Sequence, residues 1–273
     1  MAVIGIDLGT TNSLAGVWQD GKVVLIPNAF GEYLTPSVVS IGKNQEVFVG
    51  SVAKEMLATQ PYDTFREFKR NMGTNFLYGN GRKKYRAEEL SAFVLRRLKE
   101  DAEKFLGEEV TEAVISVPAY FDDNKRNATK NAGRLAGLKV ERLINEPSAV
   151  ALKHHTAEKG AESFIVFDFG GGTLDVSLVE AFDNVVEIQA VAGDNYLGGK
   201  DFNEIIAQDF YEQNQISEAY LTKNEQENVL KEAEAVKKEL TDKNEAERQV
   251  YIKGEAYTLK MTNQRLIHLS AEL

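Results

Sequence analysis

A chain of 273 residues with 43% hydrophobic content can bury one or two cores of about 100–200 residues each. Its formal charge of -10, from 32 basic and 42 acidic residues, excludes a nucleic-acid or anionic-membrane partner held by the overall field, because phosphates are repelled by it. The absence of cysteine removes disulfides, thiolate catalysis and zinc–thiolate centres together. The charged fraction of 27%, with 21 Gly and 5 Pro, reads as globular rather than disordered. The opening residues run directly into a strand pattern without a basic leader, and no apolar run approaches the ~20 residues that span a bilayer. A reducing, cytoplasmic setting is therefore expected.

The first informative stretch, Ile4 to Trp18, has two β-rich arms around the small turn Gly9-Thr10-Thr11, a hairpin signal. A third run, Val23 to Ile26, extends it into a meander. Glu88 to Leu106 carries apolar residues at Leu90, Phe93, Val94, Leu98, Ala102 and Phe105, the stripe of an amphipathic helix stopped by Gly107. Ala113 to Val117 reads as a buried strand ended by Pro118, and Asp122 or Asp123 caps a helix through Leu135. Val140 to Ile144 is a further strand, followed by a helix from Pro147 to His155.

The meander then returns. Ile165 to Val179 repeats strand, Asp-x-Gly turn and strand, and Val185 to Val191 repeats the third arm. Asp7 superposes on Asp168, Gly9 on Gly170 and Thr11 on Gly172 at an offset of 161 residues, which an internal duplication explains. Asp201–Gln213 and Thr222–Thr241 read as helices, Gln249–Ile252 and Tyr257–Met261 as a strand pair around Gly254, and a last helix begins near Thr262.

Two such turns suit a di- or triphosphate clamped between lobes. Gly and Thr in a tight turn aim several N–H groups at one point and form an anion nest, which glycine lets a phosphate approach. Asp7, Asp168 and Asp175 stand at strand ends, where carboxylates hold hydrated Mg²⁺ through its waters. No G-x-G-x-x-G opens a helix and no Walker-A pattern is present. The three histidines lack metal-ligand spacing, and the adjacent His154 and His155 read as a surface helix end.

Five segments carry a resemblance: Ile4-Gly5-Ile6-Asp7-Leu8-Gly9-Thr10-Thr11-Asn12-Ser13, Val117-Pro118-Ala119-Tyr120-Phe121, Ile144-Asn145-Glu146-Pro147, Asp168-Phe169-Gly170-Gly171-Gly172-Thr173-Leu174-Asp175 and Leu197-Gly198-Gly199-Lys200-Asp201-Phe202. In this order they resemble the signatures of the DnaK-type seventy-kilodalton heat-shock chaperones, and the likeness covers essentially the whole chain. The resemblance implies an α/β, actin-like ATPase fold of two lobes arising from duplication. Residues 1–161 form the first, with a small inserted subdomain about 28–110. Residues 162–273 form the second, with an insertion about 200–273. The stretch from Lys69-Arg70-Asn71-Met72-Gly73 to Glu88 is short for DnaK itself and, with Pro27 to Ser37, is most similar to the HscC branch.

The resemblance also assigns roles. Lys69 reaches the γ-phosphate and the attacking water, Thr173 contacts the γ-phosphate, and Glu146 lies near the magnesium waters; with Asp168 these form the catalytic set. Gly9, Thr10, Thr11, Asn12, Gly170, Gly171, Gly172, Gly198 and Gly199 hold phosphates. Glu234, Lys237, Lys238 and Thr241 border ribose and adenine, and spacings of three and four put Glu234, Lys237 and Thr241 on one helix face. Pro118 and Arg126 relay the nucleotide state to a peptide-binding domain. ATP or ADP with Mg²⁺ is the implied cofactor. The implied partners are a J-domain co-chaperone, a nucleotide-exchange factor and unfolded peptide clients, with slow hydrolysis serving as a switch.

Two other readings use the same fold: a sugar- or glycerol-type kinase, which needs a second substrate pocket and against which the Lys69 motif argues, and an actin-like filament protein. The second half contains no counterpart of the first half's final strand–helix–strand–helix. The second lobe is therefore expected to be incomplete, with an unpaired sheet edge that invites self-association. The resemblance implies that a glycine-rich segment closing over adenine is missing as well, so weak ADP binding and weak or absent ATPase activity are expected of this chain.

Overall fold

The computed structural model describes residues 2–79, 83–154, 160–183 and 185–273. Apolar alternation in β1 (Ala2–Leu8) turns Ile4, Ile6 and Leu8 to one face, and all three are buried. β1 pairs antiparallel with β2 (Asn12–Gln19), which turns through Asp20 and Gly21, both at positive φ, into β3 (Lys22–Ile26). An Asp-Gly pair in that conformation is the turn a two-residue hairpin needs. The short β4 (Thr35–Pro36) pairs with the start of β2.

A separate small sheet follows, built from β5 (Val38–Ile41), β6 (Val47–Val49) and β7 (Thr64–Arg66) in the order β6-β5-β7, with α1 (Ser51–Thr59) packed on it. A 3-10 turn, Phe68–Asn71, then buries Phe68 and Lys69. α2 (Ala87–Leu106) starts where the Glu89 carboxylate accepts from the Arg86 backbone N–H at 2.8 Å and stops at Gly107 in the left-handed conformation. Its stripe of Leu90, Val94, Leu98 and Ala102 is fully within the first core. β8 (Val110–Val117) lies parallel to β1. α3 (Asp123–Leu135) is capped by Asp122, whose carboxylate accepts from the Lys125 N–H at 2.9 Å, a contact worth about 1 kcal/mol. β9 (Lys139–Asn145) completes the first sheet in the order β3-β2-β1-β8-β9, and α4 (Glu146–His154) follows at once.

The second sheet is the meander β10 (Glu162–Phe169), β11 (Leu174–Phe182) and β12 (Val185–Asp194). Its register repeats that of the first: Asp7 lies opposite Leu14, and Asp168 lies opposite Asp175. After it come α5 (Gly199–Gln213), α6 (Lys223–Glu239) behind a Thr222–Glu225 capping box, the hairpin β13 (Glu245–Ile252) and β14 (Glu255–Thr262), and α7 (Asn263–Leu269). Ile206, Phe210, Val229, Val236, Val250 and Met261 form a second core there. Among the described residues, no helix is long and apolar enough to cross a membrane.

Three expectations change. The α6 helix ends at Glu239, so Thr241 sits in the following turn, its N–H on the Lys238 carbonyl at 3.2 Å, rather than on the helix face shared by Glu234 and Lys237. The helix after β9 starts at Glu146 and packs against β11 and β12 as well as β9, because Ala151 shares a core with Val166 and Val179; His155 lies outside the described residues. The strands around Gly254 begin at Glu245 and end at Thr262, since eight consecutive pairs extend the hairpin beyond its apolar centre.

Candidate functional site

The turns that end β1 and β10 face one another across a cleft of roughly 830 Å³. Asp7, Gly9, Thr10, Thr11 and Asn12 line it from the first meander and Asp168, Gly170, Gly171, Thr173 and Asp175 from the second. The turns touch: a Cβ on Gly171 would collide with the Thr11 side chain, so this close approach requires glycine. Lys69, Pro118 and Glu146 line the same cleft. Gly172 is packed behind its turn, where Gly198 lies against its backbone. The N–H groups of Gly199 and Lys200 close onto the carbonyls of Gly170 and Gly171 at 3.0 and 2.8 Å, fixing the second turn to the start of α5.

Charge is concentrated on the cleft floor. Lys69 is buried and its Nζ donates to Glu146 Oε1 at 2.8 Å. The Ser116 hydroxyl, from the end of β8, donates to Asp7 Oδ1 at 2.6 Å and fixes that carboxylate. Burial raises the Glu146 carboxyl, and the Lys69 ammonium only partly opposes it. Asp168 is raised by burial and then by Asp7. Asp175 is raised to about 6 by burial, then by Glu146 and Asp168. Arg70, Lys125 and Lys153 also line the cleft, but of its basic residues only Lys69 opposes the rise in these three carboxyls, which leaves them short of nearby positive charge.

Such a set fits a divalent cation. Among the described residues no three acidic or histidine side chains come close enough to hold an ion directly. The donors present suit a hydrated Mg²⁺, which Asp7, Asp168 and Asp175 would hold through its waters.

A second, smaller cleft of roughly 220 Å³ lies on the other side of Thr10, Thr11 and Gly171, lined by Gly199, Glu234 and Lys237 together with Lys54 and Arg66. Burial would raise the Glu234 carboxyl, but hydrogen bonds from Lys238 and Lys54 outweigh it and hold it at about 2. Burial lowers the Lys237 ammonium, whose Nζ donates to the Gly199 carbonyl. Lys238 is largely exposed and reaches Glu234 at 2.7 Å, while Thr241 is exposed beyond the helix and lines neither cleft. α1 and α6 meet over this cleft through Lys54–Glu234 at 2.8 Å and Lys231–Glu55 at 2.5 Å, while Arg66 of β7 pairs with Glu227 of α6 at 3.0 Å. Arg126 lies outside both clefts. It donates to the Phe121 carbonyl at 2.8 Å and to Asn145 Oδ1 at 2.8 Å, tying the loop after Pro118 to the end of β9.

Sequence reading did not single out Ser116, Tyr120, Lys54 or Arg70. The Tyr120 phenol lines the first cleft and is raised by burial, then by Asp175 and Glu146. Arg70 was legible only as the neighbour of Lys69 in a Lys-Arg-x-x-Gly segment. Lys54 finds its partner 180 residues away, beyond any local pattern.

The class this geometry defines is a mixed α/β protein with two matching hairpin turns facing across one acidic cleft. The family model described as Hsp70 protein matches residues 3–80 and 77–273. The chain belongs to the Hsp70 family. That family implies an actin-like ATPase fold. Its members are ATPases that bind ATP with Mg²⁺ and work with co-chaperones and client proteins.

Proposed function

We propose that this chain is the ATP-binding and ATP-hydrolysing part of a DnaK-type chaperone of the HscC-like branch, in the reducing cytoplasm that a cysteine-free chain suits. Its nucleotide state would control a peptide-binding domain, with a J-domain protein and an exchange factor setting the rate of the cycle. The two lobes, 1–161 and 162–273, are read as products of one duplication, supported by the matched registers of Asp7–Leu14 and Asp168–Asp175.

The observation that carries the reading is the Lys69–Glu146 pair set between two facing turns and three aspartates. Asp7, Asp168 and Asp175 would hold a hydrated magnesium ion, which supplies charge neutralisation along the phosphate chain. N–H groups of Gly9–Asn12 and of Gly171 and Thr173 bind the phosphates, the Gly170 N–H being engaged by the Thr173 carbonyl at 2.9 Å within the turn, and the Thr173 hydroxyl orients the terminal one. Lys69 stabilises the charge that spreads over the transferring phosphoryl group and orients the attacking water, while Glu146 holds the ammonium in place. A water oxygen bonds to the γ-phosphorus as the bridging oxygen leaves with ADP, and the water's proton departs with the released phosphate. No covalent intermediate is needed, because positioning and electrostatics carry the step. Glu234 and Lys237, with Lys238 bound to Glu234, are assigned to the adenosine end, and Pro118 with Arg126 to the relay.

Single-turnover hydrolysis of labelled ATP at high chain concentration tests this. Lys69→Ala is expected to slow it by about 10²–10³ and to leave ADP binding nearly unchanged. Hydrolysis retained in Lys69→Ala removes the lysine from the reaction.

A further inference from the structure

Arg70 belongs to the first lobe by sequence, yet its side chain is built into the second. One guanidinium nitrogen, Nη2, donates to the Gly172 carbonyl inside the phosphate turn. The other, Nη1, pairs with Glu67 at 3.1 Å. The guanidinium carbon lies over the Tyr196 ring, 5.7 Å from its centroid. A Cβ on Gly172 would stand 2.6 Å from Arg70 Nη2, so the arginine also accounts for the third glycine of the turn. Glu67 takes the left-handed conformation, φ 57, which is unusual for a side chain of this kind, and pairs with Lys200 of α5 at 3.2 Å. Arg70 and Glu67 thus tie the 3-10 turn of the first lobe to both ends of the segment that frames the second phosphate turn. Among the described residues the Arg70 Nε–H is buried without an acceptor, so the hold of the guanidinium on this turn rests on its two terminal nitrogens.

We propose that Arg70 is a positioning residue for the terminal phosphate: by holding the Gly172 carbonyl, it fixes the peptide whose other end is the Thr173 N–H and so aims that group into the cleft. The role rests on the nucleotide reading given above and assigns a cause for discrimination between ATP and ADP at the second turn. Only arginine serves, because two donors at a fixed angle and a flat face are used at once, whereas lysine offers a single charged point.

The test compares the wild type with Arg70→Ala and Arg70→Lys. In the ligand-free chain, hydrogen exchange read by mass spectrometry is expected to be faster in both variants, by about tenfold, across 170–173 and 196–199. Unchanged exchange there overturns the proposal whatever the chain binds. With nucleotide and Mg²⁺, both variants are expected to lose about tenfold in affinity for ATP, the loss of one charged hydrogen bond, and less than about twofold for ADP. An equal loss for both nucleotides makes Arg70 a merely structural brace and overturns the positioning role. If the wild type binds neither nucleotide while the exchange result holds, the nucleotide reading fails and Arg70 still stands as the residue that sets this turn.

Discussion

The two meanders share one backbone plan and meet opposite fates. Ile4 and Ile6 of β1 are 0% and 3% exposed, while the matching Ile165 and Phe167 of β10 are 66% and 65% exposed. The side chains are similar and the strand registers identical. What differs is the cover. β1 lies inside a sheet extended by β8 and β9 and roofed by α2 and α3, whereas among the described residues β10 has a strand neighbour, β11, on one edge alone. Local sequence therefore sets the hairpin and its turn, and the layers packed over it decide how much of its apolar face leaves water. The chemistry is divided as well. The segments between the two meanders provide Lys69 and Glu146, and the second meander places Asp175 where the first has Leu14.

The largest expected effect breaks the comparison at its apolar face. Ile4→Ala should cost about 2–5 kcal/mol in urea unfolding, as for a buried aliphatic residue that leaves a cavity. Ile165→Ala should stay within about 0.5 kcal/mol, as for a surface position. Equal costs would mean that the β10 face is covered in solution.

A smaller effect sharpens the comparison at the acidic face. Asp175 titrates near about 6 in the folded chain against 3.8 unfolded, through burial first and then Glu146 and Asp168. The folded state therefore binds this proton more tightly, and ionising the group costs stability progressively as pH rises from about 4 to about 6. Asp175→Asn should raise the melting temperature at pH 7 by a few degrees and lose that advantage as pH falls below about 4. An advantage that persists at low pH would show that the carboxylate charge is not the cause.

Much of this was legible in the sequence, and the reasons differ by region. The turns Gly9–Asn12 and Gly170–Thr173 could be placed because strand alternation and glycine clustering are local signals. α3 ran from Asp123 to Leu135 as expected, since its cap and its stop lie within the helix's own sequence. Thr241 was misplaced by two residues because helix spacing continues past Glu239 although the backbone turns there. Contacts between distant segments were out of reach: Arg66 and Glu227 stand 161 residues apart, and Arg70 and Gly172 102 apart. Nothing in spacing along the chain reports which side chains a cleft brings together.

On the proposed reading, both turns hold one phosphate–magnesium group between them. A double-mutant cycle of Asp7→Asn and Asp168→Asn, read as the magnesium dependence of ADP binding by NMR at millimolar nucleotide, tests it most directly. Each single change is expected to weaken the magnesium dependence, and the pair to be non-additive by about 1 kcal/mol or more, as for residues sharing one partner. Additive losses, or a magnesium dependence that neither change alters, would contradict a shared site.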